Sequence, residues 1–358
     1  MSEFETMRLG ELLKFQNGRL SPERFERGKF CVYGSNGVIG RADSSNAPGP
    51  SVVIGRVGSY CGSVYFAKED CWVTDNAIQA RGLESMDNRY LYYLTLHTGL
   101  NNWRTGSGQP LLNQSTLSAI PVQATKDELE QRAIARVLGA LDDKIESNRR
   151  QQSTLLGICH TAFDVALLNG ADVMKVEDMV RFRNNERKPL SAMDRAGMER
   201  CYPYYGATGV FDYVDAYLFD DVNILIGEDG SVVNDDGTPV AQMAWGKYWV
   251  NNHAHVLSGK AVSTELAYIA LARSDVRPLI TGAVQLKINM GNLKSLEVAL
   301  PSVEVRDDVN REIQENLALW RAKSDESKML VSLRDALLPE LLSGRLRVKD
   351  AESMMANA

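Results

Sequence analysis

The second half of this chain repeats the first, and that repeat constrains its fold more than any other feature. Residues 33–38 read YGSNGV, and residues 205–210 read YGATGV. Further matches follow in the same order: Trp72-Val73 with Trp249-Val250, Thr105-Gly106 with Thr281-Gly282, Asn113 with Asn289, and residues 167–170 with 341–344. Matched residues stay about 170 positions apart, and the small drifts in spacing are what loop insertions produce. The sequence therefore predicts one structural unit present twice.

Each copy has a strand-rich part followed by a helical part. Short apolar runs at 51–54 and 223–226 are separated by Gly, Asn and Ser, as in strands joined by turns. We expect an α+β fold in which two strand-rich domains alternate with two long antiparallel helices. The predicted segments are residues 1–122 and 171–301 for the strand-rich domains, 123–170 for a central helical spacer, and 302–358 for a distal helical spacer and tail.

The two helical segments carry heptad seams with polar residues in the middle. Thr125 and Glu128 fit a capping box at the start of the first helix. Its seam residues, spaced four and three apart, are Ile134, Leu138, Leu141, Ile145, Asn148, Gln152, Leu155 and Cys159. The second seam has Ile313, Leu317 and Trp320, then Ser324 and Ser327, and resumes near Leu330, Leu333 and Leu337.

Because both seams have polar middles, we expect the two helices to pair with those positions facing each other. The alternative is that each helix packs only on its own globular part. Paired helices would relate the two copies by approximate twofold symmetry and hold them a fixed distance apart. That arrangement suits a target with two reading sites, such as the half-sites of a DNA duplex.

Composition excludes several classes of protein. Apolar residues make up 44% and charged residues 24% of the chain, which is typical of a folded globular protein. The five cysteines form no CxxC pair, so we expect reduced thiols in a cytoplasmic protein rather than a disulfide framework or a zinc ribbon. The sequence has no apolar leader and no apolar run long enough to span a bilayer, so we expect no membrane attachment.

The common catalytic motifs are missing from the sequence. There is no GxxxxGK[ST], no HExxH, no GxSxG and no (N/D)PP(Y/F). His253 and His255 form the only close histidine pair, without further ligands for a metal. The acidic pairs Glu228-Asp229 and Asp235-Asp236 are interpreted as solvated turns, and hydrolysis by a carboxylate pair is kept as an alternative. These residues therefore predict no metal or cofactor bound by the chain itself.

Several segments resemble a known family, the specificity (S) subunits of type I restriction-modification enzymes. Residues 131–164 are similar to the central helical region of that family, with Ile120-Pro121 and the LDDKI run at 141–145 as the closest matches. Residues 333–348, LRDALLPELLSGRLRV, are similar to its distal region. Four sequence segments resemble the target-recognition domains of that family: YGSNGVIG, VIGRVGSYCG, WVTDNAI and TGSGQPLLN.

The resemblance implies a DNA-reading subunit without an active site. Each strand-rich domain would be a target-recognition domain that reads one half of a bipartite, asymmetric sequence in double-stranded DNA. The helices would set the spacing and dock two methyltransferase (M) subunits, which use S-adenosylmethionine to methylate adenine. Motor-nuclease (R) subunits would join for cleavage. Two alternatives stay open: the recognition subunit of a type IIB-like enzyme, and a symmetric scaffold that binds no nucleic acid.

Loops at matching places in both copies supply side chains that suit base-edge reading. The candidate DNA contacts are Ser35, Asn36, Arg56, Ser59, Tyr60, Asn76, Arg104, Ser107 and Gln109 in the first copy, and Thr208, Ser231, Asn252, His253 and Gln285 in the second, where Asn234 and Asn251 are of the same type. The alternative is that these are ordinary turn residues. Arg56 is the strongest candidate, and Glu228 takes its place in the second copy, either to accept from cytosine N4 or to face solvent.

The net charge of −6 counts against a free-standing nucleic-acid binder. Partner subunits that share the phosphate contacts would remove this difficulty, because the chain would then need only local positive charge. Two basic stretches are present: Lys14, Arg19, Arg24, Arg27, Lys29 and Arg41 in the first copy, and Arg181, Arg183, Arg187 and Lys188 in the second. We expect the isolated chain to bind DNA weakly and in a salt-sensitive way.

Overall fold

The computed structural model describes residues 4–106, 108, 110–282 and 285–356, with side chains described as far as residue 353. The chain forms two compact units: unit 1 consists of residues 1–148 and 326–358, and unit 2 of residues 149–325. Each unit therefore contains one strand-rich part and one half of each long helix. The division of the chain into four segments stays a prediction.

The first copy ends in a long helix. Its strands are β1 (Glu5–Arg8), β2 (Leu13–Asn17), β3 (Phe30–Gly34), β4 (Gly37–Ala42), β5 (Ser51–Gly55), β6 (Val64–Ala67), β7 (Cys71–Val73), β8 (Ala77–Gly82) and β9 (Pro121–Ala124). Its helices are α1 (Leu9–Leu12), α2 (Asn88–His97), α3 (Gln114–Ala119) and the long α4 (Glu128–Leu168).

The second copy has the same order of elements, with a few additions. Its strands are β10 (Ala171–Lys175), β11 (Val180–Phe182), β12 (Tyr202–Tyr205), β13 (Val210–Val214), β14 (Phe219–Asp220), β15 (Asn223–Gly227), β16 (Ala241–Ala244), β17 (Lys247–Val250), β18 (Ala254–Gly259), β19 (Ile280–Thr281), β20 (Lys287–Ile288) and β21 (Glu297–Pro301). Its helices are α5 (Val176–Met179), α6 (Ala192–Arg195), α7 (Thr264–Leu271), α8 (Met290–Ser295), the long α9 (Val303–Leu342) and α10 (Val348–Ala356).

The sheets of the two copies have the same topology. A four-stranded antiparallel sheet has the order β2-β8-β5-β6 in the first copy and β11-β18-β15-β16 in the second. A second sheet contains the parallel pair β3–β7 in one copy and β12–β17 in the other. The terminal pair is β1–β9 in one and β10–β21 in the other. The internal repeat and the α+β fold are therefore confirmed.

Residues that repeat in the sequence have the same structural role in both copies. Asn113 Oδ1 accepts a hydrogen bond from the Thr116 N–H at 2.8 Å and caps α3, and Asn289 Oδ1 does the same for α8 with Asn292 at 2.8 Å. A glycine with positive φ follows each long helix, Gly170 after α4 and Gly344 after α9. The matches thus mark the ends of helices, where few residue types fit.

The start of α4 differs from the prediction. Asp127 Oδ1 accepts hydrogen bonds from the N–H groups of Leu129 and Glu130, at 2.9 and 3.3 Å, so Asp127 is the cap. Thr125 Oγ1 accepts instead from the Asp127 N–H at 3.1 Å. The predicted capping box of Thr125 and Glu128 is wrong, because Thr125 lies two residues before the residue that caps the helix.

The predicted seams form the buried faces of the long helices. The α4 residues Ile134, Leu138, Leu141, Ile145, Asn148, Leu155 and Cys159 are buried, as are Ile313, Leu317 and Leu337 of α9, while Trp320, Leu330 and Leu333 pack partly buried against the cores. Asn148 is fully buried, and its amide Nδ2 and Oδ1 form no hydrogen bond with the residues described. A buried amide without partners costs stability, and it also disfavours other registers of the helix pair.

In unit 1 the first half of α4 runs antiparallel to the second half of α9. Lys144 Nζ lies 3.1 Å from Glu326 Oε1, and Arg334 Nη1 donates to Asp142 Oδ1 at 2.8 Å. The other oxygen of Asp142, Oδ2, accepts a hydrogen bond of 2.6 Å from the buried Tyr93 hydroxyl on α2. Asp142 therefore links both long helices to the strand-rich part of its unit.

In unit 2 the remaining halves of the two helices also pair antiparallel. Gln152 Nε2 on α4 donates to the Trp320 carbonyl on α9 at 3.2 Å, and Cys159 Sγ lies 4.0 Å from the Ile313 carbonyl. The pairing of the two helices is therefore confirmed in each unit. Among the described helices, none has both the length and the apolar composition needed to cross a bilayer.

Candidate nucleic-acid interface

The predicted contact loops of the first copy lie together at one end of its sheets. The Arg56 N–H donates to the Asn76 carbonyl at 3.0 Å, and the Arg56 carbonyl accepts from the Leu112 N–H at 2.9 Å. Ser35 Oγ donates to the same Asn76 carbonyl at 2.5 Å. The backbone of three chain segments thus holds Arg56 in place, and Ser35 and Asn76 lie beside it.

The second copy builds the same backbone frame around Glu228. Its N–H donates to the His253 carbonyl at 2.9 Å, and its carbonyl accepts from the Ile288 N–H at 3.0 Å. Arg56 and Glu228 therefore occupy the same place in the two copies, as the sequence alignment predicted. Identical frames that hold opposite charges give the two copies different recognition chemistry.

The Arg56 side chain is half-buried, and its Nε atom is buried without a hydrogen-bond partner among the described residues. Most buried guanidinium groups are paired, so an unpaired one beside exposed loops is suited to an external acceptor. A phosphate oxygen or the O6 and N7 atoms of guanine would provide such an acceptor.

Other predicted contacts of the first copy are exposed around Arg56. Asn36, Ser59, Tyr60, Asn76 and Arg104 are exposed, and the Tyr60 side chain retains 54% of its accessible surface. Arg104 Nε donates to the Asn101 carbonyl at 2.7 Å, and this bond restrains the guanidinium group. Ser107 and Gln109 lie outside the described residues.

Glu228 is ion-paired through one oxygen and is half-buried. Arg187 Nη1 lies 2.7 Å from Glu228 Oε2 and also donates to the carbonyl groups of Asn252 and Ala254, at 3.3 and 2.6 Å. The side chain of Arg187 is only 13% exposed. The interpretation of Glu228 as a solvated turn residue is therefore wrong, because a residue 41 positions earlier neutralises it.

His255 lies beneath this ion pair and is fully buried. Its Nε2 donates to the Ile288 carbonyl at 2.7 Å, so Nδ1 is left to accept from Asn184 Nδ2 at 2.8 Å. Burial lowers the pKa of His255, which keeps the imidazole neutral in this arrangement. In the strand pairing His255 lies opposite Ile226, and the matching pair in the first copy is Ile78 opposite Ile54. The first copy therefore has an isoleucine in the place of His255.

Asp229 is also not a solvated residue. Its side chain is 15% exposed, and Oδ1 accepts a hydrogen bond of 2.6 Å from Nδ1 of His253. Asp236 does lie in an exposed turn, where Thr238 donates to its carboxylate from N and Oγ1 at 3.0 and 2.7 Å. These bonds lower the pKa of Asp236, so it is poorly suited to act as the general acid of a hydrolase.

The predicted contacts of the second copy fall into two groups. Thr208, Asn252 and His253 line one cleft, together with Asp229 and Asn251. The others, Ser231 and Gln285, are exposed outside it, and Asn234 is bonded within its own loop to Thr238 and Pro239.

The two basic stretches differ in how far they are neutralised. Within the described part of the chain, no residue of the first stretch forms an ion pair, and Arg24 and Arg41 donate to backbone carbonyl groups. In the second stretch Arg183 pairs with Glu186 and Asp221, and Arg187 pairs with Glu228. The first copy therefore keeps more local positive charge.

Sequence reasoning did not find the cleft in the second copy or the partner of Glu228. From the sequence, Arg187 was interpreted only as part of a basic stretch and Asp229 only as part of a turn. No local pattern predicts these contacts, since the partners are distant in the sequence.

The fold and the loops together define a class of protein: a duplicated recognition protein with paired long helices. The same backbone frame carries different loop side chains in its two copies. The family described as type I restriction modification DNA specificity domain matches residues 1–156 and again residues 169–319. The chain therefore belongs to this family and contains two copies of its domain.

Known relatives agree with this assignment. A type I restriction enzyme specificity subunit of Haemophilus influenzae is 31% identical over 146 residues, which cover 40% of this chain and 37% of that protein. The MjaIX specificity subunit of Methanocaldococcus jannaschii is 21% identical over 306 residues, covering 74% of this chain and 70% of that protein. The crystal structure of a type I S subunit from M. genitalium has a TM-score of 0.65 at 17% identity and covers 95% of this chain and 96% of its own, so the fold is shared.

Proposed function

We propose that this chain is the DNA sequence-recognition subunit of a type I restriction-modification complex in the cytoplasm. Each copy reads one half of a bipartite, asymmetric target in double-stranded DNA. The chain performs no catalysis itself. Two methyltransferase subunits dock on it and bring S-adenosylmethionine, and motor-nuclease subunits join the complex for cleavage.

One observation carries the proposal: the same backbone frame holds Arg56 in the first copy and Glu228 in the second. A protein that read the same sequence twice would keep the same side chain in both frames. The free guanidinium of Arg56 suits guanine or phosphate, whereas the Glu228 carboxylate has the opposite charge and suits neither. Two unlike half-sites require this kind of difference.

The long helices offer a surface for a partner. In unit 2 an apolar groove of about 710 Å³ lies between α4 and α9, and its lining includes Ile158, Ala162, Val165, Val305 and Val309. Ile158 and Val165 are 41% and 52% exposed, which is unusual for residues so close to a buried seam. Docking of a methyltransferase subunit would cover them, and Ile158→Asp should weaken that docking.

The uneven charge supports shared phosphate contacts. The first copy has unpaired arginines, but the whole chain has a net charge of −6, so partner subunits would supply much of the attraction to DNA. The isolated chain should bind duplex DNA weakly, and affinity should fall steeply as salt rises. Fluorescence anisotropy over a salt series, with and without the methyltransferase subunit, measures this directly.

The decisive experiment maps methylated adenines across the genome of cells with and without this gene. The proposal expects one bipartite motif to lose methylation when the gene is deleted and to regain it on complementation. If every methylated motif persists in the deletion strain, the proposal is wrong. Complementation with Arg56→Ala should relax one base in one half of the motif and leave the other half unchanged.

A further inference from the structure

The second copy contains a cleft of about 410 Å³, a size within the roughly 300–1,000 Å³ common for small-molecule sites. It opens beside the loops that carry Thr208, Asn252 and His253. An aromatic wall and a pair of polar side chains stand out in its lining.

The polar pair is Asn251 and Asp229, which His253 holds in place. Asn251 is 5% exposed, and its Oδ1 accepts from the His253 N–H at 2.8 Å, while no described residue accepts from its Nδ2. Asp229 Oδ1 accepts from His253 Nδ1 at 2.6 Å, and its Oδ2 has no donor among the described residues. The cleft therefore presents one unused donor and one unused acceptor, both fixed by the same histidine.

The aromatic wall is Phe211 with Tyr204 behind it. Phe211 is 54% exposed, and the two ring centroids lie 4.9 Å apart. The Arg195 guanidinium lies 5.1 Å from both ring centroids. Arg195 is itself fixed by hydrogen bonds of 2.6 Å to Asp212 and to the Leu190 carbonyl. Phe211 is thus held as a rigid, flat surface at the mouth of the cleft.

The first copy has none of these groups on the same frame. By the strand registers and loop hydrogen bonds that the copies share, its counterparts of Tyr204, Phe211, Asp229 and Asn251 are Val32, Ile39, Val57 and Thr74. The frame therefore folds without an aromatic wall or a polar pair. Tyr204 is a core residue whose hydroxyl accepts from the Leu190 N–H at 2.9 Å, so Phe211, Asp229 and Asn251 are the side chains that point to a ligand bound by this copy alone.

We propose that this cleft binds a single nucleobase, with guanine preferred. The base would stack on Phe211, a contact that tolerates any base. Among the bases, guanine alone offers two adjacent N–H donors beside a carbonyl oxygen. Its N2–H group matches the unused Oδ2 of Asp229, its N1–H group matches the second lone pair of Oδ1 beside the bond to His253, and its O6 matches Nδ2 of Asn251. The ligand has two possible sources: a base extruded from bound duplex, or a free guanine nucleotide. The duplex source rests on the proposed function, and the free nucleotide does not.

The first arm of the test uses the full-length chain and free nucleotides. GMP, AMP, CMP and UMP are titrated by calorimetry, with saturation-transfer NMR to detect weak binding. We expect GMP to bind about tenfold more tightly than the other three. Asn251→Asp keeps the oxygen that holds His253 and replaces the donor by an acceptor, so it should weaken GMP binding about tenfold or more. Phe211→Leu should weaken all four nucleotides to a similar degree.

The matched control is Asn316→Asp, the same chemical change on a half-buried asparagine of α9 in the same unit, whose Nδ2 donates to the Glu312 carbonyl within the helix. It should leave nucleotide binding unchanged, and circular dichroism melting of all variants shows whether they remain folded.

The second arm uses the complex reconstituted with its methyltransferase subunit. Each guanine of the mapped target is replaced in turn by a fluorescent guanine analogue that brightens when unstacked from its neighbours. If one position responds to wild-type protein and its signal changes with Asn251→Asp, the duplex supplies the base. If GMP binds as described and no position responds, the ligand is the free nucleotide.

The proposal is overturned if neither arm distinguishes Asn251→Asp from the wild type, or if all four nucleotides bind equally and independently of Asn251. A failure of the proposed function would be seen in a different experiment, the methylation mapping, as a pattern that survives deletion of the gene. The free-nucleotide arm is unaffected by that outcome, so the two failures can be told apart.

Discussion

Asp142 is the residue whose replacement should most weaken the attachment of the long helices in unit 1. Its two oxygens accept from Tyr93 and Arg334, and its side chain is 24% exposed. Asp142→Ala leaves the buried Tyr93 hydroxyl without an acceptor, at about 1–3 kcal/mol. The partly exposed pair with Arg334 adds about 0.5–1 kcal/mol after solvent screening. We expect a total loss of about 1.5–4 kcal/mol.

The conservative variant separates these two contributions. Asp142→Asn keeps an oxygen for the Tyr93 hydroxyl and removes only the charge, so it should cost about 1 kcal/mol. A double-mutant cycle of Asp142→Ala with Tyr93→Phe should give a coupling of about 1 kcal/mol. Asp308→Ala is the control, because its pair with Arg311 is 86% and 68% exposed on the two sides and should contribute nothing measurable.

The assay is native-state hydrogen exchange followed by mass spectrometry, which reports on each unit separately. Asp142→Ala should accelerate exchange in α2 and in the first half of α4, and should leave α7 of unit 2 unchanged. Equal effects of Asp142→Ala and Asp142→Asn would refute the reasoning about the Tyr93 hydroxyl. Equal acceleration in α2 and α7 would refute the assignment of Asp142 to unit 1 alone.

Three other predictions concern single side chains. Burial lowers the pKa of His255 below its usual 6.5, so as the pH falls the unfolded chain binds a proton at this residue that the folded chain excludes. The free energy of unfolding should therefore drop between pH 7 and 5, by at most about 1.4 kcal/mol per pH unit. In urea titrations at several pH values, His255→Gln should flatten this dependence, and an unchanged slope would contradict the assignment. Asn148→Leu should raise the free energy of unfolding by about 1–3 kcal/mol, since it removes a buried amide without partners, and a loss of stability would count against this account. In the reconstituted complex, Arg56→Ala should weaken target binding by about 1–3 kcal/mol and relax one base position, and binding that keeps its full specificity would exclude Arg56 as a base contact.

The sequence predicted the architecture because the relevant signals are periodic or repeated. Heptad spacing alone located the buried faces of α4 and α9, and the repeated Asn113 and Asn289 proved to be helix caps. The start of α4 was missed by two residues, because Thr125 and Asp127 are both good caps and only the backbone conformation decides between them.

The chemistry of the second copy could not be predicted in the same way. Glu228 looked solvated because its neighbours in sequence are turn residues, yet Arg187 reaches it from a distant loop. Asp229, Asn251 and Phe211 come from three separate segments, and only the folded frame places them around one cleft. Predictions for single contact residues stay predictions for the same reason: no local pattern tells which side of a loop a side chain occupies.

The composition of the two units has a consequence for synthesis of the protein. Unit 2 is a continuous stretch, residues 149–325, whereas unit 1 needs residues 326–358 as well as the first 148. The segment that emerges first from the ribosome must therefore wait for about 180 further residues, roughly 9–35 s at elongation rates of about 5–20 residues per second. During that interval the apolar stripe of the first half of α4 has no partner helix, so nascent chains should depend on chaperones for this segment. Messages truncated before codon 326 should yield a folded unit 2 attached to an incomplete, aggregation-prone first half.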